Sequence, residues 1–126
     1  FVMQSLNKIG HIEAIKAMNS INLVILKSPF MILFFFSSFI ALVLFLESLF
    51  VYEILSFQGF ASLVFLAGMF LCTAVKNVPL NDKLASFNDS LSPEIEWNHY
   101  YKNWTMWNHV RTASCFLSMT ILLFNN

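Results

Sequence analysis

The residues able to do chemistry are crowded into residues 97–111, which read WNHYYKNWTMWNHVR. That stretch holds all three tryptophans, two of the three tyrosines, two of the three histidines and the single arginine. A helix advances about 100° per residue, so each of these side chains can be given a bearing. With Trp97 as zero, Tyr101, Trp104, Asn108, Arg111 and Cys115 fall within about 40° of one line. Tyr100 and Trp107 flank the line, and His99, Lys102, Met106 and His109 take the opposite half. The stripe is aromatic at its start and ends in an amide and a guanidinium. Such a face either anchors a helix at a membrane interface or forms a flat slot. In the slot, Trp97, Tyr101, Trp104 and Trp107 would sandwich a planar ring system. The polar end favours the slot, because convergent polar groups at the end of an apolar cleft are what orient a ligand. His99 and His109 point away and read as surface or interface histidines.

The elements that must position this stripe follow from composition. Of 126 residues, 58% are hydrophobic and 11% charged, with fifteen phenylalanines and a mean hydropathy of +0.69. That is the balance of an integral membrane protein, not of an ordinary soluble domain. Two uncharged runs, residues 29–46 and 54–75, approach or reach the roughly 20 apolar residues a bilayer-crossing helix needs. The fold class is therefore all-α, an integral membrane helical bundle in one domain over residues 1–126. Its parts are an amphipathic segment at 10–27, transmembrane helices at 29–50 and 55–76, a polar loop at 77–92 and a long helix at 93–124 that spans in its second half. In the amphipathic segment Ile9, Ile12, Ile15, Met18 and Ile21 recur every third residue, with Glu13, Lys16 and Asn19 on another face. Ser28-Pro29 and Ser92-Pro93 are helix starts, serine as cap and proline at the first helical position. Glu53, Gln58 and Gly59 mark the turn between the spans. Lys76-Asn77-Val78-Pro79 reads as a helix stop, after which Asn81 and Asp82 cap a short turn.

Residues 112–124 are uncharged but only about 20 Å long as a helix, too short to span alone. If Phe124 marks the far interface, Arg111 lies roughly 10 Å inside the near one. A charge at such depth faces the bundle interior and has a partner. Three partners are open: Asp82, the carbonyls around Asn77, or an anionic or carbonyl-bearing ligand. All seven Lys and Arg fall within residues 1–27 and 76–111, which emerge on one side if both spans are real. The positive-inside rule makes that side cytoplasmic. Net charge is zero, so nothing points to nucleic acid. Cys72 and Cys115 sit in apolar runs and read as small buried hydrophobes. No residues have metal-ligand spacing, and no metal or cofactor is expected.

Three strings, AIKAMNSIN (14–22), NVPLNDKL (77–84) and WTMWNHVRT (104–112), resemble the anthrone oxygenase-like family of small four-helix integral membrane proteins. The resemblance covers the chain from about Met3 to its C-terminus. Members usually begin with a further glycine-rich transmembrane helix ending near a Met-Pro pair. Here Met3 is followed by Gln4, so the complete protein is expected to be a four-helix bundle of which this chain holds the last three spans. The resemblance implies oxidation of tricyclic anthrones to anthraquinones by molecular oxygen, with no cofactor. It maps onto Asn77, Asn81, Asp82, Trp104, Trp107, Asn108 and Arg111, and less specifically onto Asn22. In that reading Asp82, Asn108 and Arg111 are catalytic, Asp82 as base and the other two as oxyanion donors. Asn22, Asn77, Asn81, Trp104 and Trp107 bind the ligand, and the aromatic face adds Trp97 and Tyr101 to them. A bacterial inner membrane is the expected location, with residues 1–27 and 76–105 on the cytoplasmic side. From a different class, the chain reads as a non-catalytic subunit of a larger membrane complex or a homo-oligomer in the lipid bilayer. A carrier for an aromatic compound is a third.

Overall fold

The computed structural model describes residues 1–51, 56–88 and 92–124, and every element among them is helical. A short α1 (Val2–Leu6) leads into α2 (His11–Leu26). α3 (Pro29–Phe50) and α4 (Phe57–Ala85) are long and apolar enough to cross a membrane. α5 (Pro93–Leu123) runs 31 residues without a break. Glu53, the first two residues of the apolar run at 54–55 and positions 89–91 of the expected loop lie outside the described residues.

α3 begins at Pro29 because a first-turn proline gives up no hydrogen bond and arrives with helical φ. Ser28 occupies the cap position in extended conformation. Its hydroxyl, however, donates back to the Ile25 carbonyl at 2.7 Å and does not cap α3. Ser38 likewise returns its hydroxyl to the Phe34 carbonyl at 2.7 Å, the arrangement a serine adopts when no water is at hand. Ile32, Phe36 and Phe39 are 72, 61 and 63% exposed. Large apolar side chains left open along one long apolar helix suit a surface that faces lipid.

α4 is capped by Ser56, whose hydroxyl accepts from the Gly59 amide at 3.1 Å. Its middle is π-helical over Leu66–Leu71 and Thr73–Asn77. The stop expected at Lys76 to Pro79 is therefore a passage, and the expected polar loop is helical as far as Ala85. The physical reason is Pro79. In an α-helix its ring would strike the carbonyl four residues back, and its missing N–H would break a bond. Wider turns, in which the Val78 amide reaches the Thr73 carbonyl, carry the axis past it. Asn81 and Asp82 thus lie inside a helix instead of capping one.

α5 packs antiparallel on α4. The Ser118 hydroxyl donates to the Ala61 carbonyl at 2.8 Å, Gly68 lies against Ser114, and the Cys72 thiol points to the Trp107 carbonyl at 3.7 Å. That register sets residues 107–118 of α5 at the depth of residues 61–72 of α4. The short apolar end of α5 shares the depth of a full-length span, which its own length does not supply.

At the other end sits a small true core of Met3, Ala14, Ile15, Met18, Leu84, Trp97 and Tyr100. It joins α1, α2, the end of α4 and the start of α5 into a head beyond the lipid-facing helices. α2 contributes Ala14, Ile15 and Met18, whereas Ile9 and Ile12 are exposed. A three-residue repeat falls behind the helical period by about 60° per step, so a run of every third residue leaves the core face. The Lys83–Glu96 ion pair at 3.1 Å ties α4 to α5, but at the surface such a pair adds at most about 1 kcal/mol.

Candidate functional site

Where the head meets the spans, four helices border a half-open cavity of about 290 Å³. α2 supplies Asn22, α3 supplies Phe30 and Phe34, α4 supplies Thr73, Asn77 and Asn81, and α5 supplies Trp104, Asn108 and Arg111. Helical spacing explains the grouping. Thr73, Asn77 and Asn81 are four apart on α4, and Trp104, Asn108 and Arg111 are four and three apart on α5, so each set shares a face.

The polar groups on this wall are poorly satisfied. Asn77 is 2% exposed, and neither its amide nitrogen nor its oxygen has a hydrogen-bond partner among the described residues. The Asn22 amide nitrogen and Arg111 Nε are buried in the same condition. Leaving a buried polar group unpaired costs about 1–3 kcal/mol each. Such groups are rare in folded proteins and call for a reason. Their concentration on one cavity marks its polar end as a place where a ligand could be oriented.

Two further cavities adjoin. One of about 300 Å³ is lined by Asn19, Asn22, Asn81 and Asp82. The other, of about 490 Å³, is lined by Asn22, Tyr101, Trp104, Thr105, Asn108 and His109 among others. Asn22 fronts all three and is the point where they meet.

The structure divides the residues singled out by sequence. Asn22, Asn77, Asn81, Trp104, Asn108 and Arg111 come together at the central cavity, and Tyr101 shares the neighbouring one with Trp104. Trp97 is fully buried in the head, where its indole N–H donates to the Asn7 side-chain oxygen at 2.9 Å. Trp107 lies on another side of α5 with the Lys76 ammonium 5.0 Å from its ring centre. The four aromatics therefore do not form one slot. Instead Trp97, Tyr100 and Trp104 pack in sequence, with ring centres 5.9 and 6.4 Å apart.

Asp82 is exposed and makes no ion pair with Arg111; the ion pair among the described residues is Lys83–Glu96. One residue after Asn81, it is turned about 100° around α4, out of the central cavity and onto the adjoining one. His99 and His109 are exposed. Cys72 is buried and Cys115 half-buried, both as free thiols.

Two residues were not anticipated. Thr73 was detectable, because it stands four before Asn77 on the face that also carries Asn81. Tyr100 was seen only as a flank of the stripe. Its hydroxyl donates to the Asn81 side-chain oxygen at 2.8 Å and so fixes which end of that amide is engaged. Burial pushes the Tyr100 phenol above its ordinary pKa, with the Asn22 amide the opposing influence. It stays a protonated donor across the physiological range.

A family model described as anthrone oxygenase matches residues 26–121. That span contains α3, α4 and nearly all of α5, with every cavity residue named above except Asn22 and Asn19. No curated protein and no solved structure matches the chain.

Proposed function

The chain belongs to the anthrone oxygenase family, and on that premise we propose that the central cavity binds a planar, fused-ring aromatic and oxidises it with molecular oxygen. The observation that carries this reading is the wall itself: an indole and two phenylalanine rings facing Asn22, Asn77, Asn108 and Arg111, three of which hold buried polar atoms without partners. Rings supply the apolar contact and the polar set supplies orientation.

In the anthrone reaction a methylene carbon becomes a carbonyl. Loss of one proton gives an enolate, and dioxygen then delivers one oxygen atom to that carbon while the other leaves as water. The protein's part is to take the proton and to hold the negative oxygen. Asn108 and Arg111 are the donors that hold it. Asp82, at the polar mouth where the adjoining cavity meets Asn22 and Asn81, is the proton acceptor. Trp104 fixes the ring plane. The head faces the cytoplasm of a bacterial inner membrane, because the lysines cluster at the head end of the chain and none lies between residues 28 and 75.

Purified protein, a tricyclic anthrone and oxygen test this directly, with anthraquinone formation followed by absorbance. We expect Arg111→Ala and Asn108→Ala each to slow the reaction by a factor of about 100 or more, the effect of removing one oxyanion donor. Either variant turning over as fast as the parent would show that the site is misassigned.

A second reading rests on a different observation, the apolar groove of about 450 Å³ between α3 and α4, walled by Phe35, Phe39, Phe45 and Phe70. It supports a role as a non-catalytic subunit of a larger membrane assembly. Native mass spectrometry of gently solubilised membranes separates the two. A free monomer or homodimer removes the subunit reading.

A further inference from the structure

Beyond the shape of its ligand, the central cavity specifies a charge. We propose that it takes its ligand as an anion, the ionised phenol or enol of a fused-ring aromatic, with the Arg111 guanidinium as counter-charge. This rests on the reading of the cavity as an aromatic-ligand site, and goes further by fixing the protonation state in which the ligand is held.

The wall carries one permanent cation, four carboxamides and a hydroxyl, and no carboxylate among the described residues. Guanidinium cannot be deprotonated to escape burial, so its charge must be met by another. Asp82, the acid nearest in sequence to this wall, opens on the adjoining cavity and forms no pair with it. The ionisable groups flanking the wall residues on the packed elements include Cys72, Lys76 and Asp82 on α4 and Tyr100, Tyr101, His109 and Cys115 on α5; Lys83 and Glu96 pair with each other further along the head. α2 and α3 meet the cavity only through Asn22, Ile25, Leu26, Phe30, Met31 and Phe34. Lys76 is a second cation and is engaged over the Trp107 ring.

The unpartnered atoms on this wall are mostly donors: Arg111 Nε and the Asn22 and Asn77 amide nitrogens, against one acceptor, the Asn77 side-chain oxygen. Asn81 already has its oxygen engaged by Tyr100. Donors therefore outnumber acceptors around the space, which suits a ligand rich in lone pairs and poor in protons. An anionic oxygen on a flat ring system meets all of this. A neutral hydrocarbon ring would fill the volume and leave the guanidinium uncompensated. The position of Asp82 at the mouth is consistent with the proton being left outside.

The probes are 2-hydroxyanthraquinone, whose phenol is acidified by the conjugated carbonyl and changes colour on ionisation, and 2-methoxyanthraquinone, which cannot ionise. Binding is measured to the parent protein in phosphatidylcholine nanodiscs, one pH unit below the free phenol's pKa. The bound hydroxy dye is expected to show the phenolate spectrum at that pH, and to bind about tenfold or more tighter than the methoxy dye. Arg111→Gln should abolish both effects and Arg111→Lys should retain them. A bound dye with the spectrum of the neutral phenol, or equal affinity for both dyes, overturns the anion assignment while leaving the aromatic site standing. Failure of both dyes to bind the parent removes the aromatic site itself. Displacement of the hydroxy dye when phosphatidylglycerol replaces phosphatidylcholine would assign the anion site to a lipid phosphate and overturn the aromatic class. The parent's spectrum alone decides the main point, so the test survives a variant that does not fold.

Discussion

Asn77→Leu should make the ligand-free protein more stable and its site useless. Asn77 is 2% exposed, and both polar ends of its carboxamide lack partners among the described residues. Burying an unpaired amide costs about 1–3 kcal/mol on the scale of protein substitutions. Leucine is close in volume and removes both polar atoms, at a repacking cost that for near-isosteric changes stays under about 1.5 kcal/mol. The balance runs from near zero to about 3 kcal/mol of gain, centred on about 1 kcal/mol, roughly a fivefold shift toward the folded state. Reversible unfolding in mixed micelles, read from the fluorescence of the three tryptophans, measures it. Binding of the hydroxyanthraquinone probe should fall at least tenfold in the same variant, because a donor to the ligand has gone. Loss of a kilocalorie or more on substitution would mean that Asn77 has a structural partner, and that its polarity is not kept for a ligand. Unchanged binding would refute the placement of the ligand.

Three other outcomes follow from the packing. Gly68→Ala would drive a methyl group into Ser114 at the α4–α5 crossing, costing about 1–3 kcal/mol; Ser114→Gly should recover most of that in the double variant, and a purely additive cycle would contradict the contact. Trp97→Ala should cost about 3–5 kcal/mol as a large buried deletion, whereas Trp104→Ala should keep the fold and lose the probe, so equal stability losses would remove the distinction between head core and site wall. Tyr100 has a folded pKa raised by burial, so its contribution to stability is complete below the unfolded value near pH 10. Above it the unfolded chain releases its proton first. Stability should then fall by up to about 1.4 kcal/mol per pH unit until the folded phenol ionises. Unfolding measured between pH 9 and 11 (roughly the range about the reference tyrosine pKa) should show that slope in the parent and a shallower one in Tyr100→Phe.

What could be read from the chain, and what could not, divides along a physical line. Local rules reached Pro29 as a helix start, the unbroken helix after Pro93 and the inward face of α5, because each depends on neighbours within one or two turns. The bearings around α5 separated exposed His99, Lys102, Met106 and His109 from half-buried Trp104, Asn108 and Arg111 without any knowledge of the other helices. They failed at the start of the stripe and at one flank. Trp97 and Trp107 share much of its direction but not its depth or its partner helix, and only the antiparallel register with α4 decides which neighbour each one meets. Proline at 79 misled for a related reason: whether a helix ends at a proline depends on whether the preceding turns can widen, and here two π-helical segments do. Those same turns lie between the Ala61–Ser118 contact and the face of Thr73, Asn77 and Asn81, and so set the bearing at which that face meets α5. A tight α-helix through this region would turn Asn77 to a different bearing against α5. The widened stretch that defeats the local reading is thus also what assembles the polar wall, and straightening it would be expected to dismantle the cavity even with every side chain retained.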